Sequence, residues 1–286
     1  MNHPEPVIIN AALTGNIPSK SDNPAVPITA EEIATDARRC YEAGASIVHL
    51  HVRDEEGRPT CRQDVFAEVI SRVREACPEV IVCATTSGRV NPEYEARAQV
   101  LELDDDLKPE IASLALGSFN FPKQVSVSEP KTIRRLAERM TERGIVPELE
   151  VFDFGMLDYA KHLIEKAVLR PPFYFNLLLG SLGSLNATPF NLATLAMSLP
   201  EGSVWSAAGM GRFQFWVNSI AITMGGHVRV GLEDNLFMDA GKTRPATNPA
   251  LVERLVKLAQ SAEREIAAPS RAREIIGLRP AIASCP

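Results

Sequence analysis

The sequence predicts an α/β protein, a (β/α)8 barrel built as one domain over residues 1–286. Two observations carry that expectation. Eight short β-rich runs alternate with helical segments from end to end, and a length of 286 residues suits the ~250 that such a barrel typically needs.

The β-rich runs are 7–12, 46–51, 80–85, 111–116, 147–152, 173–179, 203–208 and 227–231. Most are continuously apolar, as a parallel strand buried on both faces should be. In the first helix, Thr29 is the cap, Glu31 and Glu32 fall in the first turn, and Gly44 stops the chain after Ala43. Further helical patterns cover 64–76, 92–101, 130–143, 156–168, 189–199 and 213–224, with Gly144 and Gly225 where two of them should end. A last helix, 249–267, follows the eighth run as a C-terminal helical extension. The Pro-rich stretch 18–27 reads as a long loop after the first strand. A doubly wound open sheet is the alternative, but its GxGxxG turn after the first strand is missing.

Composition narrows the partners. The net charge of −6 argues against nucleic acid, whose phosphates call for clustered Lys and Arg. No run approaches the ~20 apolar residues of a membrane span. Residues 1–6 lack the charged and apolar regions of a secretory leader. Cys40, Cys61, Cys77, Cys83 and Cys285 are odd in number and form no CxxC pair, so they read as reduced thiols of a cytoplasmic protein.

A barrel of this kind does its chemistry at the C-terminal strand ends. His49 and His51 end the second run, and a period of two places both imidazoles on one face. Two such rings begin a divalent-metal site, which for zinc usually takes three protein ligands and leaves one position open. Strand eight neighbours strand one in a closed barrel, so Glu233 can reach across the mouth as the third ligand. The plainer alternative is one packed and one solvated histidine. His3, His162 and His227 read as structural.

Arg229 lies within the eighth run, four residues before Glu233 and five before Asp234. A buried arginine needs a partner, and Glu150 or Asp234 can supply one. Arg229 then either orients Asp234 as a general base or binds a substrate carboxylate. Arg53 and Asp54 are expected to shape the following loop, with Gly57 as its turn. Thr85, Thr86, Ser87 and Gly88 form a hydroxyl-rich turn able to meet a carboxylate or oxyanion. All eight lysines lie outside the β-rich runs, which argues against a Schiff-base aldolase.

The segments NAALTG (10–15), GASIVHLHVRD (44–54), PELEVF (147–152) and GGHVRVGLEDN (225–235) resemble the β-keto acid cleavage enzymes over nearly the whole chain. The resemblance implies a zinc-dependent barrel, assembled as a homo-oligomer (dimer or tetramer). It implies a reaction in which a 3-oxo acid and acetyl-CoA give acetoacetate and a new acyl-CoA. Residue by residue, it implies His49, His51 and Glu233 as zinc ligands. Asp234 becomes the base, supported by Arg229, Glu150 and Thr85, and Gly88 and Ser113 become substrate contacts.

This chain departs from the family's aminohexanoate-cleaving type in several places. Ile17, beside Asn16, stands where that type has a glutamate for the substrate's amino group. Thr85 replaces a serine, Ser87-Gly88 a Gly-Gly pair, and Ala115 an asparagine, and the 180–184 turn differs. The expected substrate therefore has a neutral, largely apolar tail, lined in part by Asn16 and Ile17. The rival reading is a metal-dependent aldolase or hydrolase that needs no CoA. A binding protein without turnover would have no use for an acid beside the metal.

Overall fold

A computed structural model describes residues 5–121 and 124–278. His3, Cys285 and Lys123 lie outside them. Eight parallel strands close into a barrel: β1 (Ile9–Ala12), β2 (Ile47–Leu50), β3 (Ile81–Ala84), β4 (Ile111–Ala115), β5 (Val146–Val151), β6 (Tyr174–Leu179), β7 (Val204–Gly209) and β8 (His227–Val230). Each strand pairs with its sequence neighbours, and β8 closes on β1 with Asn10 opposite Arg229. Each of the eight β-rich runs overlaps one strand of the barrel, with β5 starting at Val146 and β7 ending at Gly209, each one residue outside its run.

The helices are α1 (Ala30–Glu42), α2 (Gln63–Ala76), α3 (Tyr94–Arg97), α4 (Pro130–Arg143), α5 (Phe154–Glu165), α6 (Pro189–Met197), α7 (Gln214–Thr223), α8 (Asn248–Ser261) and α9 (Pro269–Ile276). Local chemistry sets several ends. Thr29 and Glu32 form a capping box that satisfies donors at the start of α1. Proline occupies the first turn of α4, where its missing N–H has no helical partner to lose, and Gly144 ends that helix in the left-handed conformation.

Two helical expectations need correction. The segment 92–101 is one turn of α-helix, α3, followed by a 3-10 turn at Gln99–Glu102. The run 249–267 stops at Ser261, and a separate helix, α9, follows. Between them the chain returns to the barrel: Ile266 bridges to Val7, and Ser46 Oγ donates to Ala267 O at 2.5 Å. Ala267, Ala272 and Ile276 then pack on Ile8, Ile47, Ile81, Ile111 and Tyr174 at the start of the strands. The N-terminal end of the barrel is thereby sealed with apolar side chains.

Alternation along each strand stacks the interior in layers. Above the isoleucine layer lies a polar one that includes Asn10, His49, Cys83, Glu148, Asn176 and Arg229, all buried. The outer faces of the same strands, among them Val48, Leu50, Val82 and Val228, join the large core beneath the helices. Among the described residues no helix is long and apolar enough to cross a membrane.

Candidate active site

The C-terminal mouth gathers the polar residues of β1, β2, β5 and β8. His49 and His51 point the same way, with ring centroids 5.2 Å apart. Glu233 arrives from the loop after β8, with Oε1 3.2 Å from His51 Nε2 and Oε2 3.8 Å from His49 Nε2. One ligand atom from each of the three lies within 4.8 Å of the others. Glu233 Oε2 is buried and accepts no hydrogen bond, so one lone-pair donor at the centre of the cluster is left without a partner. Two imidazole nitrogens and a carboxylate oxygen suit a divalent ion of the zinc type, and this donor set fits one.

The rings are held from behind. His51 Nδ1 is 3.0 Å from Asn16 Oδ1, which accepts its proton and leaves Nε2 bare toward Glu233. His49 Nδ1 faces Glu148 Oε2 at 3.5 Å and Cys83 Sγ at 3.4 Å. Glu148 is itself fixed by Asn10 Nδ2 at 2.9 Å and Asn176 Nδ2 at 3.4 Å. His49, Cys83 and Glu148 could also group around an ion, but Cys83 and Glu148 lie in the buried polar layer and neither lines the pocket at the mouth. Cys40, Cys61, Cys77 and Cys83 are free thiols.

Glycine makes room for Glu233. Gly15 has φ +67°, and a Cβ there would stand 2.7 Å from Glu233 Cγ. At Gly231 a Cβ would meet Ala12 O at 2.0 Å. These two contacts account physically for Gly15 in the NAALTG segment and Gly231 in the GGHVRVGLEDN segment.

Arg229 is the electrostatic centre. Its guanidinium reaches Asp234 at 3.0 Å, Glu233 at 2.7 Å, Glu150 at 3.4 Å and Glu148 at 3.8 Å. Both proposed partners are therefore present, and two more besides. With four carboxylates around it, Arg229 is committed to the protein and orients Asp234 through two N–H donors, at 3.0 and 3.2 Å. Burial raises the Asp234 carboxyl above its ordinary range, against the pull of Arg229. Burial pushes Glu150 up to about 7, with Arg229 opposing and Glu148 adding to the rise. Burial would also raise Glu233, but the charges of His51 and Arg229 hold it well below the usual carboxylate range.

The remaining sequence candidates are placed unevenly. Thr85, Asn16 and Ile17 line a pocket over the cluster, together with Glu150, Glu233 and Asp234. Ile17 is 45% exposed at its rim. Ser113 and Gly88 lie deeper. Ser113 Oγ accepts the Thr86 N–H at 3.3 Å, and Ser113 O accepts from the Thr86 hydroxyl at 2.5 Å, so Ser113 buttresses the turn after β3. Gly88 packs so closely that a Cβ would stand 2.2 Å from Val127 O. Arg53 ties Gly15 O, Pro18 O and Gly57 O together, and Asp54 caps the Glu56 and Arg58 amides.

Two residues escaped sequence reasoning. Glu148 lies two residues before Glu150 and so shares its inward face, but nothing in its spacing points to His49. Arg89 follows Gly88 in a loop and enters the same pocket with no sequence signal at all.

A (β/α)8 barrel with a His-x-His pair, a rim glutamate and an arginine-held aspartate gathered at its mouth is the architecture of a barrel enzyme. The comparisons give the family. A profile described as beta-keto acid cleavage enzyme matches residues 6–278, and the chain belongs to that family. It is 44% identical over 276 residues to a 3-keto-5-aminohexanoate cleavage enzyme of Fusobacterium nucleatum, covering 96% of this chain and 99% of that one. It is 35% identical over 280 residues to a 3-oxoadipate:acetyl-CoA acetyltransferase of Cupriavidus necator, covering 96% and 95%. Among solved structures, apo ObcA shares the fold, with a TM-score of 0.80 at 22% identity over 89% of this chain, which spans 66% of that one.

Proposed function

We propose that this protein is a zinc-dependent β-keto acid cleavage enzyme that exchanges acyl groups between a 3-oxo acid and acetyl-CoA. The observation that carries the reading is the contact of Arg229 with Glu233 and Asp234 together, which sets a proton acceptor beside the metal-ligand cluster.

His49, His51 and Glu233 would hold the ion, and Glu148 and Asn16 would fix the two rings. When bound, a divalent ion polarises the substrate's keto oxygen and offsets the negative charge that develops there. Asp234 takes a proton from C2, between the keto and carboxyl groups; Arg229 holds both its oxygens so that one faces the pocket. The C2 electron pair attacks the acetyl carbonyl of acetyl-CoA and forms a C–C bond. CoA leaves as thiolate and adds to the original C3, the C2–C3 bond breaks, and the electron pair left on C2 takes back the proton held by Asp234. Acetoacetate departs with carbons 1 and 2 of the substrate, and the rest leaves as acyl-CoA. Thr85 offers its hydroxyl to the substrate carboxylate, with Gly88 and Ser113 shaping the turn beneath it.

The names of the relatives cite different 3-oxo acids, so family membership leaves the acid open. For the carbon chain next to the keto group, Ile17, Ala115, Phe119, Phe152 and Leu178 supply an apolar wall in the pocket, which supports a tail without an ammonium group. Phe190, Met197 and Trp216, 75%, 85% and 66% exposed on α6 and α7, support a homo-oligomer, dimer or tetramer. The four free thiols among the described residues support a cytoplasmic setting.

The test is to incubate the zinc-loaded protein with acetyl-CoA and a panel of 3-oxo acids and to measure acetoacetate. Cleavage that proceeds equally without acetyl-CoA favours the aldolase or hydrolase reading instead.

A further inference from the structure

The pocket contains two arginines in opposite states. Arg229 is surrounded by carboxylates, whereas among the described residues the Arg89 guanidinium has no hydrogen bond or ion pair, and its Nε is buried without a partner. Nor is Arg89 tied to loop carbonyls, as Arg53 and Arg97 are. Instead it lies flat on Phe121, with its central carbon 3.5 Å from the ring centroid. Stacking fixes the plane of the guanidinium but leaves its in-plane N–H donors for another acceptor. Leaving a buried donor unmet is costly; Arg53, Arg97 and Arg254 also carry one such nitrogen or more, but each has other guanidinium donors bonded to carbonyls, whereas Arg89 has none.

The rings beneath Arg89 give a direction. Phe152 follows Glu150 by two residues at the end of β5 and stacks on Phe119 at 3.9 Å. Phe119 meets Phe121 at 4.3 Å, and Phe121 carries Arg89. The three rings form a compact apolar cluster, with Phe121 and Phe152 also edge to face at 6.3 Å, between the end of β5 and a cation with free donors. These rings and Arg89 line one pocket, so a short methylene chain against the rings can present a planar anion at its end to the guanidinium fork.

We propose that Arg89 receives a carboxylate at the far end of the substrate tail, so that the preferred substrate is a dicarboxylic 3-oxo acid with a short apolar stem. The inference rests on the reaction read above and amends the tail expected from Ile17 and Ala115: apolar along its stem, anionic at its tip. Burial, opposed by Glu233, pushes the Arg89 guanidinium down to about 10, so it stays charged at neutral pH. Arg89 and Ile17 together disfavour an ammonium group.

The experiment compares 3-oxoadipate with 3-oxohexanoate, which share a six-carbon chain and differ in the terminal carboxylate, in the wild type, Arg89→Met and Arg89→Lys. The wild type should favour 3-oxoadipate in kcat/KM. Arg89→Met should lower kcat/KM for 3-oxoadipate roughly 30-fold to several-thousand-fold, and for 3-oxohexanoate far less. Arg89→Lys should recover part of that loss. As a readout independent of turnover, adipate should raise the melting temperature of the wild type more than hexanoate does, and Arg89→Met should abolish the difference. An equal loss on both acids overturns the proposal and assigns Arg89 to the C1 carboxylate. A higher KM for acetyl-CoA with the acid preference unchanged overturns it in favour of a CoA phosphate. If the wild type forms acetoacetate faster from 3-oxohexanoate, the reaction stands and only the role of Arg89 falls. If neither acid nor the wider panel yields acetoacetate from acetyl-CoA, the reaction itself is wrong.

Discussion

Glu148 Oε2 stands 3.5 Å behind His49 Nδ1, on the opposite side of the ring from Glu233. A carboxylate in that position fixes the tautomer and orientation of an imidazole and raises its strength as a ligand. Three donors, Asn10, Asn176 and Cys83, hold the carboxylate in turn.

Glu148→Gln should therefore weaken zinc binding by ~10–100-fold, the usual cost of losing such a support. Competition with a chromophoric chelator measures it. Unchanged affinity would mean that the ring is held by packing alone.

Asp234→Asn should keep both fold and metal and lose activity by ~10²-fold or more, as expected on removing a positioned base. The amide cannot accept a proton from C2, although Arg229 retains Glu233 and Glu150 as partners. Metal content, circular dichroism and kcat together decide the matter. Near-normal turnover in Asp234→Asn with loss in Glu150→Gln would exchange the two roles.

His227 ties stability to pH from the sealed end of the barrel. Burial, helped by the charge of Arg264, pushes its imidazole down to about 3, and the Ile8 N–H donates to its Nδ1 at 3.1 Å. The folded protein thus keeps the ring neutral, while the unfolded chain protonates near the ordinary ~6.5. This contribution to stability is complete above that value and is lost as pH falls toward 3, by about 2 kcal/mol at pH 5. Urea unfolding of the chelator-treated protein at pH 7.5 and pH 5 reads it. The stability advantage of the wild type over His227→Gln should shrink by that amount. A constant gap would exclude His227 as the source.

The apolar wall beside Ile17 predicts poor use of 5-amino-3-oxohexanoate. Stranding a buried ammonium costs roughly 2–5 kcal/mol, equivalent to about 30-fold or more in kcat/KM relative to 3-oxohexanoate. Direct competition between the two acids measures the ratio, and a preference for the amino compound would refute this use of Ile17.

Barrel strands were legible in the sequence because burial on both faces leaves mostly apolar runs, which the few polar interior positions, such as Asn10, His49, Glu148 and Arg229, do not break. Helix ends were less so. Residues 262–267 are rich in Ala and charged groups and continue a helical pattern, yet Ala267 is recruited to the barrel floor, which ends α8 early. At the mouth, His49, His51 and Glu233 were readable because strand period and barrel closure are rules of geometry. Glu148 became meaningful only when β5 was seen to turn it toward His49 across the interior. Arg89 was illegible for a different reason: a loop side chain follows no period, and its significance is the absence of a partner, which only three dimensions reveal.

Fate of label tests the account most directly. With zinc-loaded protein, acetyl-CoA carrying 13C at both acetyl carbons, and an unlabelled 3-oxo acid, acetoacetate should carry both labels at C3 and C4. The new acyl-CoA should carry none, because C1 and C2 of acetoacetate come from the substrate whose proton Asp234 removes. Unlabelled acetoacetate, or label in the longer acyl-CoA, would contradict the proposed exchange at its first bond.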